Sequence, residues 1–282
     1  MNELQAKVLI TSSDLVQTVL AIQSDMPSLS HLVVVGGASC AYAGDSKNII
    51  DEREPVKIVP LERVEIIGAN ENHGIDYLNK PDDVALILYT SGSSGNPKGV
   101  VLQQKHFVSG FRSMDASFAQ FNYSNDQKYL AYLPLAHVFE FMMEFLVMCY
   151  GLQIGFGTPQ TLTTNGPALV KGCPGDLVVL KPVGIAMVPL LLDKVKSAIL
   201  AQARAQGALK SKLFEFAVSY KSSWVERGWR TPVTDVLFFK KAQAAVGGEM
   251  KQLIVGAAPL SAETQRFCRT VLDVQLLQGK LG

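Results

Sequence analysis

Short apolar runs alternate with longer segments of helical period along this chain, and that alternation is what most narrows its fold. The runs at residues 31–36, 56–61, 84–88, 129–133, 154–157, 176–180, 251–255 and 274–277 are bounded by turn residues and read as buried strands. Between them, residues 13–24, 104–118, 136–150, 184–205, 211–226, 233–246 and 261–272 read as helices. Strand alternating with helix implies an α/β fold in which layers of parallel sheet carry helices on both faces. Two helix starts have a chemical cause. Ser261 ahead of Glu263 and Thr264 is an N-cap with an acidic first turn, and Ser13-Asp14 plays the same part early in the chain. Residues 60–81 are polar and Gly/Asn-rich, the makeup of a surface connector, whereas residues 194–248 form a helical excursion with no strand inside it.

With 282 residues, 48% of them hydrophobic, the chain can bury a substantial core as one large domain or two small ones. Lys and Arg number 26 against 25 Asp and Glu, without a basic cluster, so nucleic acid is not an expected partner. Cys40, Cys149, Cys173 and Cys268 lie far apart and lack the spacing of a zinc site or redox pair, which fits reduced thiols inside a cell. The first seven residues begin neither a signal peptide nor a membrane anchor. The most apolar stretch, residues 129–152, contains His137, Glu140 and Glu144 and reads as a core element rather than a membrane span.

One loop carries chemistry of its own. Tyr89-Thr90-Ser91-Gly92-Ser93-Ser94-Gly95-Asn96-Pro97-Lys98-Gly99 follows the apolar run at 84–88. Gly92, Gly95 and Gly99 lack a Cβ, so the chain can bend and bring backbone N–H groups against an anion. Thr90, Ser91, Ser93 and Ser94 add hydroxyl donors, and Lys98 adds a mobile positive charge of the kind that meets β- and γ-phosphates. The loop is not the P-loop of nucleotide hydrolases, because Pro-Lys-Gly stands where Gly-Lys-Ser/Thr is needed. The plainer alternative is a flexible Ser/Gly linker, but a linker seldom follows a buried strand.

Residues 90–99 resemble the phosphate-binding signature of the adenylate-forming ligases, with Ser94 where threonine is more usual. Leu133-Pro134-Leu135-Ala136-His137-Val138-Phe139-Glu140, Leu180-Lys181-Pro182, Phe238-Phe239-Lys240-Lys241 and Gly256-Ala257-Ala258-Pro259-Leu260-Ser261 are similar, in the same order, to the eukaryotic long-chain acyl-CoA synthetases. The likeness runs from near the start to Gln278-Gly279. It implies an ATP-dependent fatty acid–CoA ligase, with Mg²⁺ and coenzyme A as cofactors and a long-chain fatty acid as substrate. The parent enzyme would be intracellular and associated with the endoplasmic reticulum, mitochondrial outer membrane or peroxisome.

The resemblance also assigns roles. Lys98 would neutralise phosphate charge, with Thr90, Ser91, Gly92, Ser93, Ser94 and Gly95 supplying donors. On residues alone His137 reads first as a core histidine satisfied by a neighbouring carboxylate, Glu140 or Glu144; by the resemblance it would instead orient the acyl group at the mouth of the carboxylate pocket. Two glutamates and one histidine on a helix more often form such a network than a metal site, so no metal ligand is assigned. Gly256, Ala257, Ala258 and Pro259 would let adenine stack on the backbone, where spacing alone allows an ordinary strand-to-helix turn. Gln278 and Gly279 close the nucleotide side. The apolar wall of residues 139–148 would line part of an acyl tunnel, and Lys240-Lys241 reads as a solvated charge pair with no site role.

The family pattern continues past Gly279 with a metal-holding glutamate, a ribose-binding aspartate and a mobile C-terminal domain, whereas here Lys280-Leu281-Gly282 follow. The expectation is therefore a partial AMP-binding domain over residues 1–282, lacking the family's first portion as well, and inactive by itself. The alternatives are a non-catalytic nucleotide- or fatty-acid-binding module and an adenylating ligase for another carboxylic acid.

Overall fold

The computed structural model describes residues 2–36, 56–71, 74, 78–90, 96–121, 123–256 and 259–279. The chain divides into two compact units, Met1–Leu78 and Asn79–Gly282.

In the first unit, β1 (Val8–Ser12), β2 (His31–Val35) and β3 (Lys57–Pro60) form a parallel sheet in that order, with Val8 opposite His31 and His31 opposite Lys57. Helices α1 (Val16–Ala21) and α2 (Leu61–Asn70) accompany it, and Val16, Met26, Leu29, Leu32, Val34 and Val56 make its core. Two expectations change. Residues 61–70 form a helix rather than a connector; Leu61 is half-buried at its start, and Val64, Ile66 and Ile67 stay exposed. The early helix is capped by Ser12 without a side-chain bond, so Ser13 does not serve as its N-cap; Asp14 does occupy the first turn.

The second unit holds β4 (Val84–Thr90) and β5 (Lys98–Gln103), an antiparallel pair, followed by α3 (Gln104–Phe118), β6 (Lys128–Ala131), α4 (Val138–Cys149) and β7 (Gln153–Phe156). Next come α5 (Asp176–Leu180), β8 (Gly184–Met187), α6 (Pro189–Ala205), α7 (Ala208–Val225), α8 (Pro232–Thr234), a π-helical turn (Asp235–Phe239), α9 (Lys240–Ala244), β9 (Gln252–Val255), α10 (Ala262–Phe267) and β10 (Gln275–Gln278). Strands β10-β9-β8-β6-β7 form one parallel sheet.

Side-chain alternation shows why both sheet faces are covered. Leu130, Tyr132, Ile185, Met187, Leu253, Val255 and Leu276 pack with α6, α7 and α10, while Tyr129, Ala131, Ala186, Ile254 and Leu277 pack with α3 and α4. Strands β8 and β9 are buried at every position; β8 is apolar throughout, and in β9 the one polar residue, Gln252, accepts a hydrogen bond from the Tyr123 hydroxyl.

Three second-unit expectations also change. Residues 176–180 form a helix and not a strand. Asp176 sits in its first turn, Lys181 caps it in the left-handed region at φ 54° and Pro182 follows, so end chemistry outweighs the strand preference of Leu-Val-Val-Leu. Residues 184–187 are a strand, and the helix begins only at Pro189, whose fixed φ and missing N–H suit a first helical position. The run at 84–88 is not buried: Val84 is 56% exposed, because among the described residues β4 pairs only with β5. No described helix is long and apolar enough to cross a membrane.

Candidate functional site

The β4–β5 hairpin displays Thr90 and Lys98. These two residues are partners in the last pair of the ladder, both exposed, and the hydroxyl-rich connection runs between them. Ser91, Gly92, Ser93, Ser94 and Gly95 lie outside the described residues. Gly99 acts differently from the expectation of a bend: it stands in extended β5 opposite Tyr89, and a Cβ there would come within 3.3 Å of the Tyr89 ring and 3.2 Å of Ile87. Its missing side chain admits the tyrosine across the strand pair. The hairpin base is fixed by backbone bonds from Gln104 N–H to the Asp83 carbonyl at 3.0 Å and Lys105 N–H to the Pro81 carbonyl at 2.9 Å, and by a Lys105–Asp82 ion pair at 2.6 Å.

From β5 the chain enters α3, which lies along α4. Phe107 meets Phe141 edge-on at 5.4 Å and Phe111 stacks on Phe145 at 4.6 Å. Residue numbers rise together across these contacts, so the two helices start at the same end. These contacts pack Phe141 and Phe145 of α4 against α3, with Phe145 still 45% exposed.

His137 is the N-cap residue of α4 and is exposed; its N–H donates to the Pro134 carbonyl at 2.9 Å. The reading of a core histidine satisfied by Glu140 is not what the fold shows. Glu140 points the other way, fully buried, and its carboxyl oxygens accept from the Tyr129 hydroxyl at 3.2 and 3.3 Å. Burial, reinforced by Glu144, pushes the Glu140 carboxyl up to about 8 against the opposing Tyr129 hydrogen bond. Burial raises Glu144 as well, and burial plus Glu140 raise Tyr132.

This arrangement makes a testable pH dependence. Folding holds on Glu140 a proton that the unfolded chain loses near 4.5, so stability declines as pH rises from about 4.5 to about 8. At about 1.4 kcal/mol per pKa unit, part of it screened, Glu140→Gln should stabilise the protein by about 2 kcal/mol above pH 8 and change little below pH 5. Denaturant melts at both ends of that window check this; equal destabilisation at both would refute it.

The strand ends form a second group. β9 and β10 are neighbours, with Val255 opposite Gln278, and Gly279 N–H donates to the Val255 carbonyl at 3.0 Å. Gly256, buried, continues β9; a Cβ on it would sit 3.7 Å from the Phe139 ring, an ordinary contact. Protein packing therefore does not demand glycine there. Ala257 and Ala258 lie outside the described residues, and Pro259 is exposed.

The loop's far side is anchored by α10. The Ser261 hydroxyl accepts from Thr264 N–H at 3.1 Å, as its sequence implies, and the Thr264 hydroxyl donates to Asp193 at 2.6 Å. Gln265 Nε2 donates to Gln278 Oε1 at 2.9 Å, which ties the first turns of α10 to the end of β10. Phe139, two residues past His137, thus joins that segment to Gly256, with Gln278 and Gly279 on the adjacent strand. Thr90 and Lys98 are together at the hairpin tip, and among the described residues no hydrogen bond or ion pair joins them to the strand ends. Tyr129, Asp193 and Gln265 were not found from sequence. Each acts through a tertiary contact with no local signature.

A loop of small residues leaving a parallel strand at its C-terminal end is where open α/β sheets receive ligands. The model of the AMP-binding enzyme family matches residues 1–279. This chain belongs to the AMP-binding enzyme family. It is 32% identical to long chain acyl-CoA synthetase 8 of Arabidopsis thaliana over 99% of its length and 39% of the relative's. It is 31% identical to long-chain-fatty-acid–CoA ligase 2 of Schizosaccharomyces pombe, over 95% of this chain and 38% of that one. The chain thus spans about two fifths of the length of these relatives. Its fold is shared with the adenylation domain of a carboxylate reductase from Mycobacterium chelonae, at TM-score 0.71 and 18% identity over 99% of this chain and 40% of that one. A long-chain-fatty-acid–CoA ligase from Archaeoglobus fulgidus matches at TM-score 0.60 and 16% identity, over 99% of this chain and 43% of the other.

Proposed function

We propose that this chain supplies the nucleotide-handling part of an ATP-dependent ligase that activates a long-chain fatty acid and transfers it to coenzyme A. In the first step a carboxylate oxygen attacks the α-phosphorus of ATP and pyrophosphate leaves. In the second the coenzyme A thiol attacks the acyl carbon, loses its proton and expels AMP. The observation that carries this reading is the hairpin closed by Thr90 and Lys98, in a chain that matches the synthetases of plant and yeast along nearly its whole length.

The residues contribute placement and charge. Lys98, exposed at the mouth of the connection, neutralises the β- and γ-phosphates, and Thr90 with Ser91, Gly92, Ser93, Ser94 and Gly95 supplies hydroxyl and backbone donors. Gly256, Ala257, Ala258 and Pro259 offer adenine a surface without bulky side chains, bordered by Gln278 and Gly279. His137, exposed at the start of α4, orients the acyl carboxylate. Mg²⁺ would add charge neutralisation at the phosphates. The described residues gather no cluster of three or more His, Cys, Asp or Glu side chains able to hold a metal, so no step is assigned through the ion.

Titration of the 282-residue chain with a non-hydrolysable palmitoyl-adenylate analogue tests the proposal. Saturable binding, competed by ATP and lost with a benzoyl analogue, is expected. Failure to bind any adenylate would overturn the nucleotide reading, and preference for the aryl analogue would overturn the fatty substrate.

A further inference from the structure

The helical excursion between β8 and β9 leaves an unusual amount of apolar side chain in water. On α7, Leu209, Leu213, Phe216 and Tyr220 fall at i, i+4, i+7 and i+11, one stripe of the helix, and are 45 to 82% exposed. The stripe lies beside the face that α7 buries with Phe214 and Ala217. Aromatic rings extend it: Phe216 stacks on Tyr220 at 6.2 Å, Tyr220 meets Trp224 at 6.0 Å and Trp224 meets Trp229 at 6.4 Å. Past α7, Val233, Val236 and Leu237 are 66 to 70% exposed.

Between these two exposed edges runs a groove of about 570 Å³. Its walls include Leu213, Phe214, Val236 and Leu237, Lys210, Lys240 and Lys241 are its only charged lining residues, and no carboxylate lines it. The surrounding segment, residues 208–244, has seven Lys and Arg against three Asp and Glu, in a chain that is otherwise slightly acidic. One of the seven, Lys221, is spent internally on Asp235 and Asp273. That pairing also removes Asp235 as a competitor for an anionic partner.

Position separates this surface from the nucleotide site. α6 starts at Pro189, just past the C-terminal end of β8, and the groove begins at Ile199, about 15 Å further along the helix. Its other wall leads through α9 toward the N-terminal end of β9, opposite to Gly256.

Apolar and aromatic side chains beside a groove whose charged lining is lysine alone match the boundary between the headgroups and acyl chains of a bilayer that contains anionic lipid. Of the exposed acidic residues on or next to α7, Glu226 is paired with Arg266, and Glu215 does not line the groove. We propose that this face docks on such a bilayer. Leu213, Phe216 and Leu237 enter the acyl boundary, and Lys210, Lys240 and Lys241 lie among the phosphates. The proposal stands apart from the ligase reading, since it uses none of those residues.

Sedimentation of the 282-residue chain with phosphatidylcholine vesicles, with and without phosphatidylserine, tests it. Binding should require phosphatidylserine and fade at high salt. Phe216→Glu combined with Leu237→Glu, and separately Lys240→Gln combined with Lys241→Gln, should each weaken it by about tenfold or more. Thermal midpoints should stay unchanged, because all four side chains are exposed. No binding, equal binding to neutral vesicles, or wild-type binding by either variant would overturn the proposal. So would a concentration-dependent dimer that the apolar variant makes monomeric while vesicle binding persists, which would assign the face to a second copy.

Discussion

Replacing Lys98 with alanine is expected to weaken ATP binding by about tenfold to a hundredfold, the range of a lost hydrogen bond to a charged group. AMP binding should change by no more than about twofold, because AMP lacks the β- and γ-phosphates that the amine meets. The two nucleotides thus separate phosphate neutralisation from adenine recognition. Lys98 is exposed and pairs with Thr90 through the backbone ladder alone, so the thermal midpoint should not move. Calorimetric titration with both nucleotides decides the matter: equal losses for ATP and AMP would remove Lys98 from the phosphates, and no loss for either would remove it from the site.

Gly247→Ala is expected to cost about 3 kcal/mol or more, through a left-handed-side backbone and a collision together. Gly247 has φ +98°, and a Cβ on it would lie 2.5 Å from the Leu177 carbonyl oxygen and 2.9 Å from the Lys181 Cα. Both obstacles are backbone, so no rotamer change relieves them. They belong to α5 and its left-handed cap, so the Leu180-Lys181-Pro182 motif helps to form the seat for the turn that feeds β9. A shift in β9 would carry Gly256 with it. Chemical denaturation measures the effect; a loss below 1 kcal/mol would mean that this seat yields. Gly248→Ala is a fitting control, since its φ of +78° carries strain while its nearest obstacle, the Ala244 Cα, is 3.9 Å away.

The parallel core was legible because its central strands carry short apolar runs, as in Leu253-Ile254-Val255, and their flanking helices carry a clear period. Residues 251–255 and 274–277 lie within one residue of β9 and β10, and residues 104–118 match α3. Errors fell where local signals compete. The five residues 176–180 are too few to show a period, and only their end chemistry, Asp176 and the Lys181-Pro182 pair, distinguishes helix from strand. Strand β8 and helix α6 merged because Ile185, Ala186 and Met187 run without a turn into Val188-Pro189, whose proline was the overlooked boundary. β1 was missed because its side chains alternate between half-buried and exposed, with polar Thr11 and Ser12 at its end.

At the site, the sequence exposed residues that share a motif but not those that meet across the fold. His137 and Glu140 are three positions apart and were expected to face one another, yet the strand beneath α4 offers Glu140 the Tyr129 hydroxyl, which a periodicity argument could not locate. The anchoring of Gln278 by Gln265 joins a helix to a strand through two amides with no local signature.

The central claim is that one nucleotide is held at two places, the hairpin mouth and the ends of β9 and β10. Amide hydrogen exchange with and without ATP measures it most directly. Slowed exchange is predicted at Lys98, Gly99, Gly256 and Gly279, with little change in α7 or α9. Saturating ATP that leaves those amides untouched, or that protects the α7 groove in their place, would contradict it.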